Sequence, residues 1–367
     1  SDRILVFDGS DDGDEVYSYK EKFPEWSYET NGDVKTIAVS ADGEYIVAGS
    51  KSSCTSNCKV YLFAKGSSTP LWSYTTGDDQ ESVAISADGE YIVVGESATT
   101  LFLFDKDSST PLWTYDIGDG VKSVAISADG EYIVAGSDDN KVYLFDKDSS
   151  TPLWSHSISN AVEHVAISAD GEYIVASSDS SNYDNIYLFD KDSSTPLWSY
   201  ETDGSVRSVS ISADGEYIVA GSSDYKVYLF DKDSSTPLWS YSTGFGVNSV
   251  DISANGDYIV AGTGNDYVYL FYKTSSTPLW NYNIDYAVFS VAISADGKYI
   301  VAGSSDDKVY LFDKDSSTPL WSYETDGSVR SVAISADGKY IVAGSDDDSV
   351  YTFKNSLADR PSIIPYG

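Results

Sequence analysis

The stretch Ser123-Val-Ala-Ile-Ser-Ala-Asp-Gly-Glu-Tyr-Ile-Val-Ala-Gly-Ser137, continued by Lys141-Val-Tyr-Leu-Phe145 and Leu153-Trp-Ser-His156, decides the architecture. It holds four short runs rich in Val, Ile, Tyr and Phe, each bounded by Gly, Pro, Asp or Ser, which is the signature of strands. We label the runs a (Ser123–Ser127), b (Glu131–Ser137), c (Lys141–Phe145) and d (Leu153–His156). Working outward, Ser-Ala-Asp-Gly recurs from Ser40, Ser86, Ser127, Ser168, Ser212, Ser294 and Ser335, with an Asn variant from Ser253. Trp26, Trp72, Trp113, Trp154, Trp198, Trp239, Trp280 and Trp321 keep the same beat, with a usual step of 41 residues. Two longer steps mark insertions around 51–59 and 178–185.

Four strands per unit of roughly 40 residues, with no sustained helical period, is the arithmetic of a β-propeller blade. In the Ala128-Asp129-Gly130 turn the Gly supplies a positive φ and the Asp bonds its own backbone, so a and b form a tight hairpin. Asn255 replaces the Asp in one unit, which marks this position as structural. The small residues of run a suit the axis, and the Trp of run d fills the wide rim between blades. Run a occurs eight times, so an all-β ring of eight four-stranded blades is expected, its last blade closed by the N-terminal segment 25–29. The alternative takes Ser362–Tyr366 as the last outer strand and adds a ninth, incomplete blade. Either way 1–367 reads as a single domain: a surplus N-terminal hairpin over 1–20, propeller repeats over 25–353 and a tail over 354–367.

Formal charge is −35, from 23 basic and 58 acidic residues, which opposes nucleic acid and anionic lipid. No apolar run reaches the roughly 20 residues of a membrane-spanning helix, so no membrane insertion is expected. Beginning at Ser1 without any Met, the chain is expected to be a processed or trimmed product.

Runs a to c resemble the WD40 repeat, with Phe145-Asp146 standing where that family has Trp-Asp. The second half, Val142-Tyr-Leu-Phe-Asp-Lys-Asp-Ser-Ser-Thr-Pro-Leu-Trp154, is similar to the quinoprotein-type (PQQ-like) repeat, which carries a Trp on the outer strand. The repeat style also resembles secreted or surface propellers of archaea. The resemblance implies the propeller fold and leaves function open, because such rings serve as scaffolds, receptors, lectins and enzymes. The adjacent Cys pair and the calcium-bound acidic site of quinoprotein dehydrogenases have no matching positions, so no cofactor is expected. Nor is a metal: the c–d loop at Asp146-Lys147-Asp148 loses both carboxylates in two units.

Variation among the units falls in the b–c and d–a connections, which share one face. The residue expected just before run a runs Lys35, Glu81, Lys122, Glu163, Arg207, Asn248, Phe289, Arg330. Lys35, Lys122, Arg207 and Arg330 would draw an anionic or hydroxylated ligand, or else neutralise nearby Asp residues such as Asp33, Asp119 and Asp203. Aromatic residues cluster irregularly on the same side at Tyr183, Tyr225, Phe245, Tyr267, Tyr286 and Phe289, and Phe245, Tyr286 and Phe289 are the expected contact patch. Cys54 and Cys58, the only cysteines, are expected to form a small disulfide in an inserted loop, which suits secretion or the cell surface. His156 and His164 read as tolerated packing, and the absence of a nucleophile–base or phosphate-loop motif argues against an enzyme. The expectation is non-catalytic extracellular recognition of a protein or glycan partner. A self-associating surface building block is one rival, and a lyase or hydrolase using His164, Glu163 or Arg207 at the channel mouth is the other.

Overall fold

A computed structural model describes residues 22–51, 57–179 and 184–358. Eight four-stranded antiparallel sheets succeed one another around an axis, each in the spatial order a-b-c-d. Blade 3 is typical: strand a is Val121–Ile126, b Tyr132–Ser137, c Lys141–Asp146 and d Trp154–Ser157. Neighbouring a strands pack against one another, which places them around the channel.

In blade 8 the outer strand is Trp26–Glu29, paired with the c strand Ser349–Lys354 through Trp26↔Thr352 and Glu29↔Ser349. The ring therefore closes through the N-terminal segment, and the ninth-blade alternative is overturned because the outer position of blade 8 is already filled. The surplus hairpin over 1–20 and the strand at Ser362–Tyr366 lie outside the described residues.

Each blade junction is an apolar wedge. Val134, Val142 and Leu144 of blade 3 pack with Val162, Val165 and Phe189 of blade 4, and eight such clusters circle the ring. Each half-buried Trp of strand d reaches across the junction. Trp113, for example, lies 5.5 Å from the Phe145 ring and donates its indole N–H to the Lys147 carbonyl at 2.7 Å. The indole is thus a rim filler with a satisfied polar end, as the run-d reading requires. His156 stands in for the usual Tyr, edge-on to Phe189 at 5.3 Å.

The Ser-Ala-Asp-Gly turn holds itself: Ser127 Oγ donates to Asp129, and Asp129 accepts the Glu131 amide. It also joins the blades, because Ala128 N donates to Ala169 O at 3.0 Å, and the equivalent bond recurs until Ala336 N reaches Ala41 O. Eight amides so form an unbroken circle at the invariant end of the channel. In the c–d loop, Asp146 accepts the Asp148 amide and Lys147 pairs with Glu131 at 3.1 Å, so these carboxylates shape the loop.

Candidate functional site

The residues expected just before strand a lie inside it. In blade 3 the register passes from Val121↔Ser137 directly to Ser123↔Gly136, leaving Lys122 as the extra residue of a β-bulge. The same shift occurs in all eight a strands. Bulges of this kind at a barrel or propeller rim re-aim one side chain. Here they set a ring of eight positions at the channel mouth on the variable face.

Around that ring the cations are largely paired. Lys122 meets Asp138 at 3.2 Å; burial works against its charge, but Asp138, then Glu163 and Glu81, outweigh it and hold its pKa above the usual lysine value. Arg330 grips Asp346 at 2.6 Å and lies 4.2 Å from the Phe289 ring. Lys35 sits between Asp33 at 3.2 Å and Asp346 at 4.0 Å. Arg207 is exposed and donates to Asn248 at 2.8 Å. The geometry thus favours internal neutralisation at Lys35, Lys122 and Arg330, and leaves Arg207 as the accessible cation among the four. The acidic b–c tips are likewise engaged, with Tyr143 donating to Asp139 and Tyr351 to Asp347 at 2.5 and 2.7 Å.

The aromatic residues occupy one sector, blades 5 to 7. Tyr225 is 52% exposed in the b–c loop of blade 5, Phe245 43% in the next d–a connection and Tyr286 55% in the one after. Phe289 lies beneath Arg330, and Tyr267 accepts a hydrogen bond from Asn283. Tyr183 and Cys54 fall outside the described residues; Cys58 is buried beside strand c of blade 1 and is disulfide-bonded. Tyr225 has φ of 74°, a left-handed conformation that bulky residues rarely adopt. Asn140, Asp266, Asp307 and Asp348 fill the same slot in other blades, and short Asx side chains tolerate it.

Deeper in the channel, comparison of the units exposes two departures, His164, which the sequence had marked, and Asp251, which sequence reading passed over. In seven junctions a strand-a hydroxyl accepts the amide of the next blade's strand a, as Ser123 does from Val165 at 3.1 Å. At the eighth, between blades 4 and 5, His164 takes the serine's place. Two residues further along, six blades carry Ala, while blade 5 has Ser210 and blade 6 has Asp251. Ser210 donates to Asp251 at 3.0 Å, and Asp251 also accepts the Ile252 amide at 2.9 Å and the Ile293 amide of blade 7 at 3.0 Å. Burial pushes its carboxyl up to about 6 and drives His164 down to about 4. The signal was present in the sequence as a single Asp in a column of Ala.

These two groups act oppositely on stability. The folded ring takes up the Asp251 proton before the unfolded chain does, so Asp251 favours folding as pH falls from about 6 toward 3.8. His164 stays neutral in the ring while the unfolded chain protonates, so it opposes folding as pH falls from 6.5 toward about 4. Relative to wild type, Asp251→Ala should lose stability on acidification across this window and His164→Ser should gain it, each by on the order of 2 kcal/mol. Urea titrations at pH 4.5 and 7.5 check this, and parallel behaviour of both variants would refute it.

Comparison with known proteins accords with the ring. The family model described as outer membrane protein assembly factor BamB, of the PQQ-like type, matches residues 99–269. That of the WD domain, G-beta repeat, matches residues 279–313 and 317–354. No curated protein sequence matches the chain. The crystal structure of the computationally designed Ika8 protein is similar with a TM-score of 0.76 over 89% of this chain and 99% of that one. At 14% identity that likeness concerns the fold alone. Residues, topology and family matches agree that the chain is an eight-bladed β-propeller of WD40-like and PQQ-like repeats.

Proposed function

We propose that this propeller is a non-catalytic extracellular recognition scaffold that binds a protein or glycan partner through the aromatic sector of blades 5 to 7. The observation that carries this reading is Tyr225. A Tyr held at positive φ and left half in water lowers stability by about 1 kcal/mol. Strain of that kind is retained where the displayed side chain is used. Phe245 and Tyr286 continue the exposed apolar surface on the same face, and flat aromatic area beside polar groups suits both sugar rings and protein surfaces. The extracellular assignment draws support from the strongly acidic composition and from a cysteine that is not a free thiol.

Tyr225→Asn adopts the residue type of the equivalent slot in blade 3. It should raise stability by about 0.5–1 kcal/mol in urea denaturation while weakening partner binding. The wild type and a Tyr225→Asn, Phe245→Ala, Tyr286→Ala variant, screened in parallel on glycan arrays and immobilised proteins, test the site. Ligands retained equally by the two proteins would exclude it.

A second reading, self-association, rests on Leu71, Leu112, Leu153, Leu197, Leu238 and Leu279, each 51–53% exposed beside an outer strand with an unpaired edge. Such edges pair readily between chains. Light scattering separates the two readings, because a particle that stays monomeric at high concentration rules assembly out.

A further inference from the structure

We infer that the axial channel holds a binding site for a small primary ammonium ion with an apolar body, with Asp251 as its counter-ion. This site lies inside the ring and is independent of the aromatic rim.

The geometry begins with the walls. Two cavities of about 470 and 350 Å³ meet along the axis and share Val39, Asp251, Ile293 and Ile334 in their linings. The remaining lining is Val, Ile and Ala, apart from Ser210. In volume these cavities fall in the range of small-ligand sites, and both are open along the channel, with main-chain polar atoms exposed between the apolar side chains. Among the described residues Asp251 is the one ionisable group lining either cavity, at the level where they join.

Its carboxylate is held rigidly. Oδ1 accepts from Ile252 N and Ser210 Oγ, and Oδ2 accepts from Ile293 N. A carboxylate offers about four acceptor positions, so capacity remains on Oδ2 for one more donor. What the site lacks is positive charge, for all three partners are neutral and the apolar walls supply no counter-ion. A carboxylate that is partly buried with no cation beside it gains from a cation that joins it. The groups packed around it (Ser210, Ile252, Ile293, Val39, Ile334) do not titrate, so the carboxylate itself sets the pH response. The nearest histidine in the a strands, His164, is kept neutral by burial and neither competes with nor repels a cation. The mouth cations Lys122 and Arg330 are engaged by Asp138 and Asp346. An overall charge of −35 concentrates cations at the entrance.

The choice of an alkylammonium over a bare metal ion follows from the walls. A metal ion needs several oxygen ligands, whereas an ammonium group needs one carboxylate and brings an alkyl chain that the Val and Ile side chains can cover. The partial occupancy of its oxygens by amides leaves Asp251 suited to one directed N–H donor.

Titration calorimetry with n-butylammonium chloride and with n-butanol tests the inference on wild type and on Asp251→Ala, which restores the residue of six other blades. Wild type should bind the ammonium ion and not the alcohol, and Asp251→Ala should bind it at least tenfold more weakly. Affinity should also fall roughly tenfold per pH unit once the carboxylate is protonated. Three results would each overturn the inference: no binding by wild type, equal binding of the alcohol, or undiminished binding by Asp251→Ala. Should the last be accompanied by a loss of stability, the side chain would be marked as a staple between blades. Asp251→Asn guards against a folding artefact, since it keeps an acceptor for the Ile293 amide while removing the charge; it should lose binding as Asp251→Ala does.

Discussion

A chain starting at Asn31, without the strand Trp26–Glu29, should lose on the order of 5 kcal/mol of stability and regain most of it when a peptide spanning 22–30 is added. The strand supplies four ladder pairs to blade 8 and three aromatic contacts to blade 1, Trp26 and Tyr28 each lying 5.2 Å from Phe63 and Tyr28 also 5.6 Å from Tyr61. Trp26 also donates to the Lys65 carbonyl at 2.7 Å, so one short segment fastens two blades. Removing one fully buried aromatic costs about 3–5 kcal/mol; here two half-buried ones go, and the c strand of blade 8 is left with an unpaired edge as well. Thermal unfolding followed by tryptophan fluorescence, with and without the peptide, measures the effect. Unfolding unchanged by the truncation would show that the ring does not depend on this closure.

Gly130→Ala should destabilise the ring by about 2–4 kcal/mol. Two independent causes add. Gly130 has φ of 75°, where an L side chain is strained by about 1 kcal/mol. An added Cβ would also stand 2.5 Å from Cδ2 of Tyr91 in the preceding blade, an overpacking that typically costs about 1–3 kcal/mol. Gly118 separates the causes, for its φ is 91° with no atom within 4 Å of a Cβ, so Gly118→Ala should show the backbone part alone. Urea midpoints at constant slope give both values. Equal losses in the two variants would mean that the Tyr91 contact yields freely.

Blade count and closure were legible because the chain states its solution eight times. A period of 41 residues, a Gly wherever the a–b turn needs positive φ and an unmatched outer strand at the N-terminus leave little latitude. The bulges were not legible. Val121-Lys122-Ser123 reads as a polar residue ahead of a strand, and only pairing shows Val121 already opposite Ser137 with Lys122 displaced. The rim cations illustrate the same limit, since sequence names Lys122 and Arg330 but not the distances that commit them to Asp138 and Asp346. Tyr225 was noticed as an aromatic residue, while its meaning came from a dihedral angle. Asp251 was readable as an odd letter in a repeated column, and its importance emerged once that column was seen to line the channel.

The circle of amides joining Ala41 through Ala336 runs in one direction and has neither start nor finish. Tandem genes readily gain or lose a copy, yet such a slip here could not be absorbed locally. A nine-membered wheel would need every spoke to close its angle by about 5°, and all the donors and acceptors at the hub to shift together. Near-identical spokes therefore favour change by substitution and by loop insertion over change in number, as Tyr225, Asp251 and the two inserted loops illustrate.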